Sequence, residues 1–171
     1  QRVDQRTGQG QSIQANRPAR PAEDPYRWNW NAPILVSPHN ADVIYHCAQV
    51  VLRSPFRGNT WVAISPDLTV NDKSKRADQN PCDTCGSGNV SYATITTLDE
   101  SPIVPGLLWA GTDDGNVQVT RDAGRTWTNV RDKITAHPGF WISRVAASNA
   151  AAGTAYVTMT GYRNDDTRPF I

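Results

Sequence analysis

The chain has 171 residues, 38% of them apolar, with 12 glycines and 12 prolines; this is long enough to bury a core and too apolar for disorder throughout. Seventeen basic residues against 16 acidic ones leave a net charge of +1, so the overall field that holds nucleic acid or an anionic membrane surface is missing. The apolar runs are far shorter than the ~20 residues of a membrane-spanning helix, and three cysteines are too few for a disulfide-stapled miniprotein.

Six tryptophans and the Gly and Pro content point to short strands and turns. Apolar residues alternate, or run in groups of four to eight closed by Gly, Pro, Asn or Asp, and no stretch has the spacing of an amphipathic helix. Gln1 in first place and a lone methionine, Met159, are what removal of an upstream segment leaves, by processing after export or by truncation.

In chain order, residues 2–13 read as the tail of one repeat unit, and residues 9–24 as a polar, Pro-rich linking loop. A first copy follows with strands at 34–38, 43–45, 50–54 and 58–64, and a second at 97–102, 107–109, 117–120 and 124–130. Ser37 to Ser101 and Tyr45 to Trp109 are both offsets of 64, whereas Ser54 to Thr120 and Trp61 to Trp127 are both 66, so two extra residues sit in the middle hairpin of the second copy. A third copy opens at 142–148 and 154–158, with Tyr156 lying 47 residues beyond Trp109.

A 47-residue spacing fits a four-stranded antiparallel propeller blade, and a 64-residue spacing fits the same blade with an insert of about 17 residues. The expected fold is therefore all-β, a segment of about three β-propeller blades where closure takes about four to eight. Its parts are the end of one blade and a linker (1–25), a blade (26–66), a polar loop insert (67–91), a second blade (92–132) and the start of a further blade (133–171).

Thr120, Asp122, Gly124, Thr126 and Trp127 fill the pattern Ser/Thr-x-Asp-x-Gly-x-Thr-Trp, the Asp-box. Ser54, Gly58, Thr60 and Trp61 repeat it with Phe56 where the aspartate belongs. The physical logic is local: the hydroxyl and carboxylate take turn amides, glycine supplies the positive φ, and Trp anchors the hairpin on the core. With these boxes, residues 26–31, 64–69, 111–115 and 161–166 give the chain its likeness. It resembles the large bacterial BNR/Asp-box repeat proteins labelled glycosyl-hydrolase-like, related to the sortilin-type propeller and more distantly to sialidases and xyloglucanases. The resemblance implies a secreted, periplasmic or cell-surface protein completed by further blades of the same propeller or by another chain of an assembly.

Within a blade of this kind, the hairpin between strands two and three shares a face with the connection to the next blade, and the Asp-boxes lie on the opposite face. Residues 46–49, 67–89, 112–116, 131–140 and 161–168 are thus expected on one face, where any ligand site belongs. There Asp113, Asp114, Asp165 and Asp166 read first as turn residues, with a carboxylate cluster that binds Ca²⁺ or acts as a general acid/base pair as the alternative. Tyr162 and Arg163 are ligand-binding candidates on the same face. Trp28 and Trp30, two residues apart, would share one strand face as a sugar platform or a packing seal. Sialidase chemistry asks for an arginine cluster and a Tyr–Glu nucleophile pair; only Arg144 suits the first, and the chain has just two glutamates, Glu23 and Glu100.

Cys82 and Cys85 form a lone half-site, read as a local disulfide in an exported loop, with a free reduced pair as the second reading, ahead of a redox, zinc or haem role. Cys47, in a strand-hairpin segment, is expected to be a buried free thiol, and His39, His46 and His137 to be satisfied surface or turn residues rather than a metal set. No metal site is expected apart from the Ca²⁺ option above. Because every well-matched motif supports structure, the leading expectation is a non-catalytic scaffold or recognition module binding protein, peptide or glycan; a glycoside hydrolase of the sialidase or xyloglucanase type is the alternative, and fold-level analogy is a weak warrant for it.

Overall fold

The computed structural model describes residues 1–15, 25–73, 75, 92–135 and 137–171. Cys82, Cys85 and most of the polar insert lie outside the described residues. Among the described residues every strand pair is antiparallel. β1 (Arg2–Val3) and β2 (Gly10–Gln11) form a hairpin. β3 (Ile34–Val36), β4 (Ile44–Cys47), β5 (Val51–Ser54) and β6 (Val62–Ala63) make a first four-stranded sheet in chain order. A second follows with β7 (Ile95–Glu100), β8 (Leu108–Thr112), β9 (Val117–Thr120) and β10 (Thr128–Asn129). β11 (Trp141–Ala147), β12 (Ala155–Gly161) and β13 (Asp166–Phe170) make a three-stranded sheet. The fold is all-β, with single 3₁₀ turns at Arg131–Lys133 and Tyr162–Asn164.

The three sheets repeat one another at the level of single bonds. Ser37, Ser101 and Ser148 are all buried at the exit of a first strand. Their amides donate to Val43, Leu107 and Thr154 O, and their hydroxyls accept amides two or three residues on. Each serine thus closes the same turn into strand two by the same local side-chain bond. The strand registers locate the insertion: Ile44 faces Ser54 across the first sheet, whereas Leu108 faces Thr120 across the second, so the second loop is two residues longer.

Alternation along the strands sends two apolar sets to opposite faces, and each sheet joins its neighbour through one of them. Tyr45, Cys47 and Val51 meet Ile95, Leu98 and Leu108 between the first and second sheets. Trp109, Val117 and Val119 meet Ile142, Val145 and Met159 between the second and third. Each fully buried Leu, Ile or Val contributes about 1.5–3 kcal/mol relative to exposure. At Gly111 the second pair of sheets comes so close that a Cβ would stand 2.4 Å from Ile142 Cγ2. Side chains of β7 also cap the edge of β11: Thr97 Oγ1 accepts from Val145 N at 3.1 Å, and Asp99 Oδ2 from Ala147 N at 2.8 Å.

The turn from β9 to β10 is built by its own side chains. Asp122 accepts from Thr126 N (2.9 Å), Thr126 Oγ1 (2.6 Å) and Thr120 Oγ1 (2.8 Å), and Thr120 Oγ1 takes Gly124 N at 2.9 Å. Gly124 adopts φ 94°, which a side chain would strain. The turn from β5 to β6 keeps the serine half, with Ser54 Oγ accepting from Gly58 N at 2.8 Å, while Phe56 is exposed. Both turns are stapled backwards: Trp127 Nε1 donates to Ile64 O at 3.0 Å and Trp61 Nε1 to Ile13 O at 2.9 Å. Ile13 therefore stands to the first sheet as Ile64 stands to the second.

Candidate functional site

At the end of the sheets away from those stapled turns, the loops enclose an open cleft of about 1020 Å³. Its floor is the tight turn after β8, carrying Asp113 and Asp114; one wall is the segment leaving the first sheet (Val70, Asp72, Lys75) with Tyr92. The other wall is the connection entering β11 (Arg131, Phe140, Trp141) and the turn after β12 (Tyr162, Arg163, Asn164). The Arg163 guanidinium lies over the Trp141 ring, 4.4 Å from its centroid, an attraction of about 0.5–1 kcal/mol at a solvent-exposed site. Tyr162 is 80% exposed, an aromatic face held open to solvent.

The two floor carboxylates are engaged by the fold. Asp113 Oδ1 accepts from Thr94 N and Oδ2 from Thr94 Oγ1, both at 2.8 Å. Asp114 Oδ1 accepts from Thr112 Oγ1 at 2.6 Å, and Oδ2 from Val70 N at 2.8 Å and Asn71 N at 3.2 Å. Asp114 thereby pins the segment leaving the first sheet onto the second, and Asp113 pins the start of β7. Burial pushes Asp113 up to about 6 against the pull of its Thr94 hydrogen bonds, and burial also raises Asp114. Burial likewise raises Tyr92, helped by the charges of Asp114 and Asp113.

Asp165 and Asp166 do not join this floor. Asp165 takes a left-handed conformation, φ 54°, just after the short 3₁₀ turn, and Asp166 is held in an ion pair with Arg168 at 2.6 Å that keeps its carboxyl down at about 2. The four carboxylates therefore form no cluster, and among the described residues no three His, Cys, Asp or Glu side chains converge as cation ligands. Arg144 is exposed on β11, just past the register shift between Ile142 and Arg144, and is not part of the cleft lining.

The pairing of Trp28 with Trp30 on one strand face is corrected as well. Residues 26–29 form no strand, and 30–31 form a turn. Trp28 stacks on His46 with centroids 4.6 Å apart and meets Tyr26 edge-on, whereas Trp30 is 73% exposed. The residues that this segment turns inward are polar. Arg27 is buried, with Nε donating to Ala93 O at 3.0 Å and Nη2 to Asp67 Oδ2 at 2.7 Å; its amide donates to Gln49 Oε1 at 2.8 Å. Asn29 Nδ2 donates to Thr94 Oγ1 at 2.8 Å, so one network runs from Arg27 and Asn29 through Thr94 to Asp113. The alternation at 26–31 is polar on its inward phase, so the sequence alone gives it the pattern of an exposed segment.

Cys47, His39 and His46 are taken up by the fold. Cys47 is a buried free thiol whose pKa is pushed up by burial. His39 Nε2 bonds Ser101 O and His46 Nδ1 bonds Pro33 O, both at 2.8 Å. A Tyr–Glu pair does exist, with Tyr45 OH donating to Glu100 Oε1 at 3.4 Å. Both residues are sealed between the first two sheets, and Glu100 Oε1 also accepts Gly106 N at 2.8 Å, so no substrate reaches them.

No family model and no curated protein matches the chain. Among solved structures it is similar to the GH74 enzyme of Niastella koreensis, at 18% identity and a TM-score of 0.47, over 75% of this chain and 19% of that one. The chain spans about a fifth of that enzyme's length.

Proposed function

We propose that this chain is a β-propeller segment of the Asp-box kind, acting as a non-catalytic recognition module at the surface of the cell or outside it. Its ligand face is the cleft, and its ligand is a protein, peptide or glycan surface. One contrast carries the reading: Asp113 and Asp114 spend both oxygens on hydrogen bonds that hold the fold, while Tyr162, Trp141 and Arg163 face the opening. Aromatic planes beside a guanidinium suit stacking and hydrogen bonding to a bound surface. Glycoside hydrolysis needs two carboxylates set across the bond to be broken, one of them able to give up a proton.

Peptide and glycan arrays, followed by turnover assays on whatever binds, test this. The expected result is saturable binding without turnover, weakened about tenfold or more, or about 1.4 kcal/mol, by Tyr162→Ala combined with Arg163→Ala. Both residues are exposed, so the fold survives their loss. Hydrolysis that disappears in a folded Asp113→Asn variant would replace the recognition reading with the hydrolase one.

A further inference from the structure

The six charged side chains that line the cleft divide between the fold and the opening. Asp113 and Asp114 are buried; Asp113 accepts from Thr94 on both oxygens, and Asp114 accepts from Thr112, Val70 and Asn71. Asp72 forms an ion pair with Lys75 at 3.8 Å. Arg131 and Arg163 are left over. Among the described residues neither forms a salt bridge, and neither guanidinium has a hydrogen-bond acceptor.

Both guanidiniums are nevertheless held against the wall. Arg131 is half-buried on the 3₁₀ turn Arg131–Lys133, and its Nη2 lies 2.8 Å from where a Cβ at Gly139 would stand, so the bare Cα of Gly139 makes room for it. Arg163 is exposed and leans on the Trp141 ring. Positioning a guanidinium costs side-chain freedom, and without an acceptor it returns little to the fold. An ionised carboxylate only accepts, and it meets a guanidinium fork with two parallel bonds. Hydroxyls and amides both give and take, so they match a pair of donor forks less well.

The ring surfaces beside these forks narrow the ligand further. Phe140 and Trp141 lie on the same wall, and Tyr162 stands at its rim, giving flat faces on which the apolar side of a pyranose ring can stack. A volume of about 1020 Å³ is at the upper end of the ~300–1,000 Å³ that hold one small ligand, which leaves room for several rings of a polymer. We propose that the cleft binds a uronate polysaccharide, a chain of pyranose rings bearing carboxylates, with Arg131 and Arg163 pairing the carboxylates of rings that stack on Trp141 and Tyr162. This rests on the recognition reading of the cleft and names its ligand. The cleft stands over the second sheet and takes a wall from each neighbour, so the site needs neither outer face of the stack.

Calorimetric titration of the chain with sodium polygalacturonate, with its methyl ester and with poly-glutamate tests the proposal. The acid polymer should bind about tenfold or more tighter than the ester, which has the same rings without the charge, and should weaken as salt rises from about 20 to 300 mM. Arg163→Gln should lower affinity for the acid about tenfold and leave the ester as it was, whereas Tyr162→Ala should weaken both. Arg131→Gln should behave as Arg163→Gln does; if it does not fold, Arg163→Gln decides alone, because its side chain is exposed. An ester that binds as tightly as the acid would overturn the uronate and keep the recognition reading. Poly-glutamate binding as tightly as polygalacturonate would overturn the sugar, and no binding of polygalacturonate would overturn the proposal outright. Cleavage of polygalacturonate that is lost in a folded Asp113→Asn variant would instead keep the ligand and overturn the non-catalytic reading.

Discussion

Asp122 and Phe56 occupy the same place in two turns of the same design. Asp122 is held down at about 2 by the side chain and amide of Thr126 and the hydroxyl of Thr120. Phe56 offers nothing to Thr60 and stands in solvent. Phe56→Asp should therefore complete the second turn and raise Tm by about 2–4 °C, as a gain near 1 kcal/mol does for a chain of this size, while Asp122→Ala should lower it in thermal melts at pH 7. Acid separates the carboxylates further. Asp122 is depressed, so its contribution is complete above about pH 4 and fades as pH falls through about 2. Asp113 runs the other way: its folded value of about 6 lies above the unfolded one, so its contribution is complete below about pH 4 and is lost as pH rises through 6. Lowering the pH from 7 to 5 should thus add roughly 1–2 kcal/mol through Asp113, set against His46 and His137, whose burial holds them below their ordinary value so that they cost stability as pH falls. In denaturant titrations at both pH values, the change on acidification should be less favourable in Asp113→Asn than in the wild type by the Asp113 amount.

Among the elements, the segment before β3 has no strand pairing and is held by the buried side chains of Arg27 and Asn29. Arg27→Met strips a partner from Asp67, from Thr69 Oγ1 and from Ala93 O. Asp67 keeps some contact with water, so the expected loss is about 2–4 kcal/mol, a little below that of a fully buried pair, read from urea unfolding. Gly111→Ala presses a methyl into Ile142 and should cost about 1–3 kcal/mol. The strands themselves were legible in the sequence, because serine, aromatic and Thr-Trp landmarks recur at fixed spacings and a strand's period of two exposes which face is apolar. Residues 26–31 were not, because their alternation is polar inward, and only the third dimension shows Thr94 and Ala93 waiting there. Asp113 and Asp114 read first as turn residues in the sequence, but a short Asp-Asp turn carries no mark of Val70 and Asn71, more than forty residues away, whose amides Asp114 accepts.

Across the described residues, three sheets and two cores form a stack whose inner joints are covered. The stack also has a direction. Every indole staple points from a sheet to the carbonyl of the unit before it, Trp61 to Ile13 and Trp127 to Ile64, so opening begins where a staple hangs on the smallest support. That support is the two-stranded N-terminal hairpin. In native-state hydrogen exchange the Trp61 indole proton should trade with solvent well before that of Trp127, which gives the molecule a fraying end and a clamped one, distinguishable by two protons of identical chemistry.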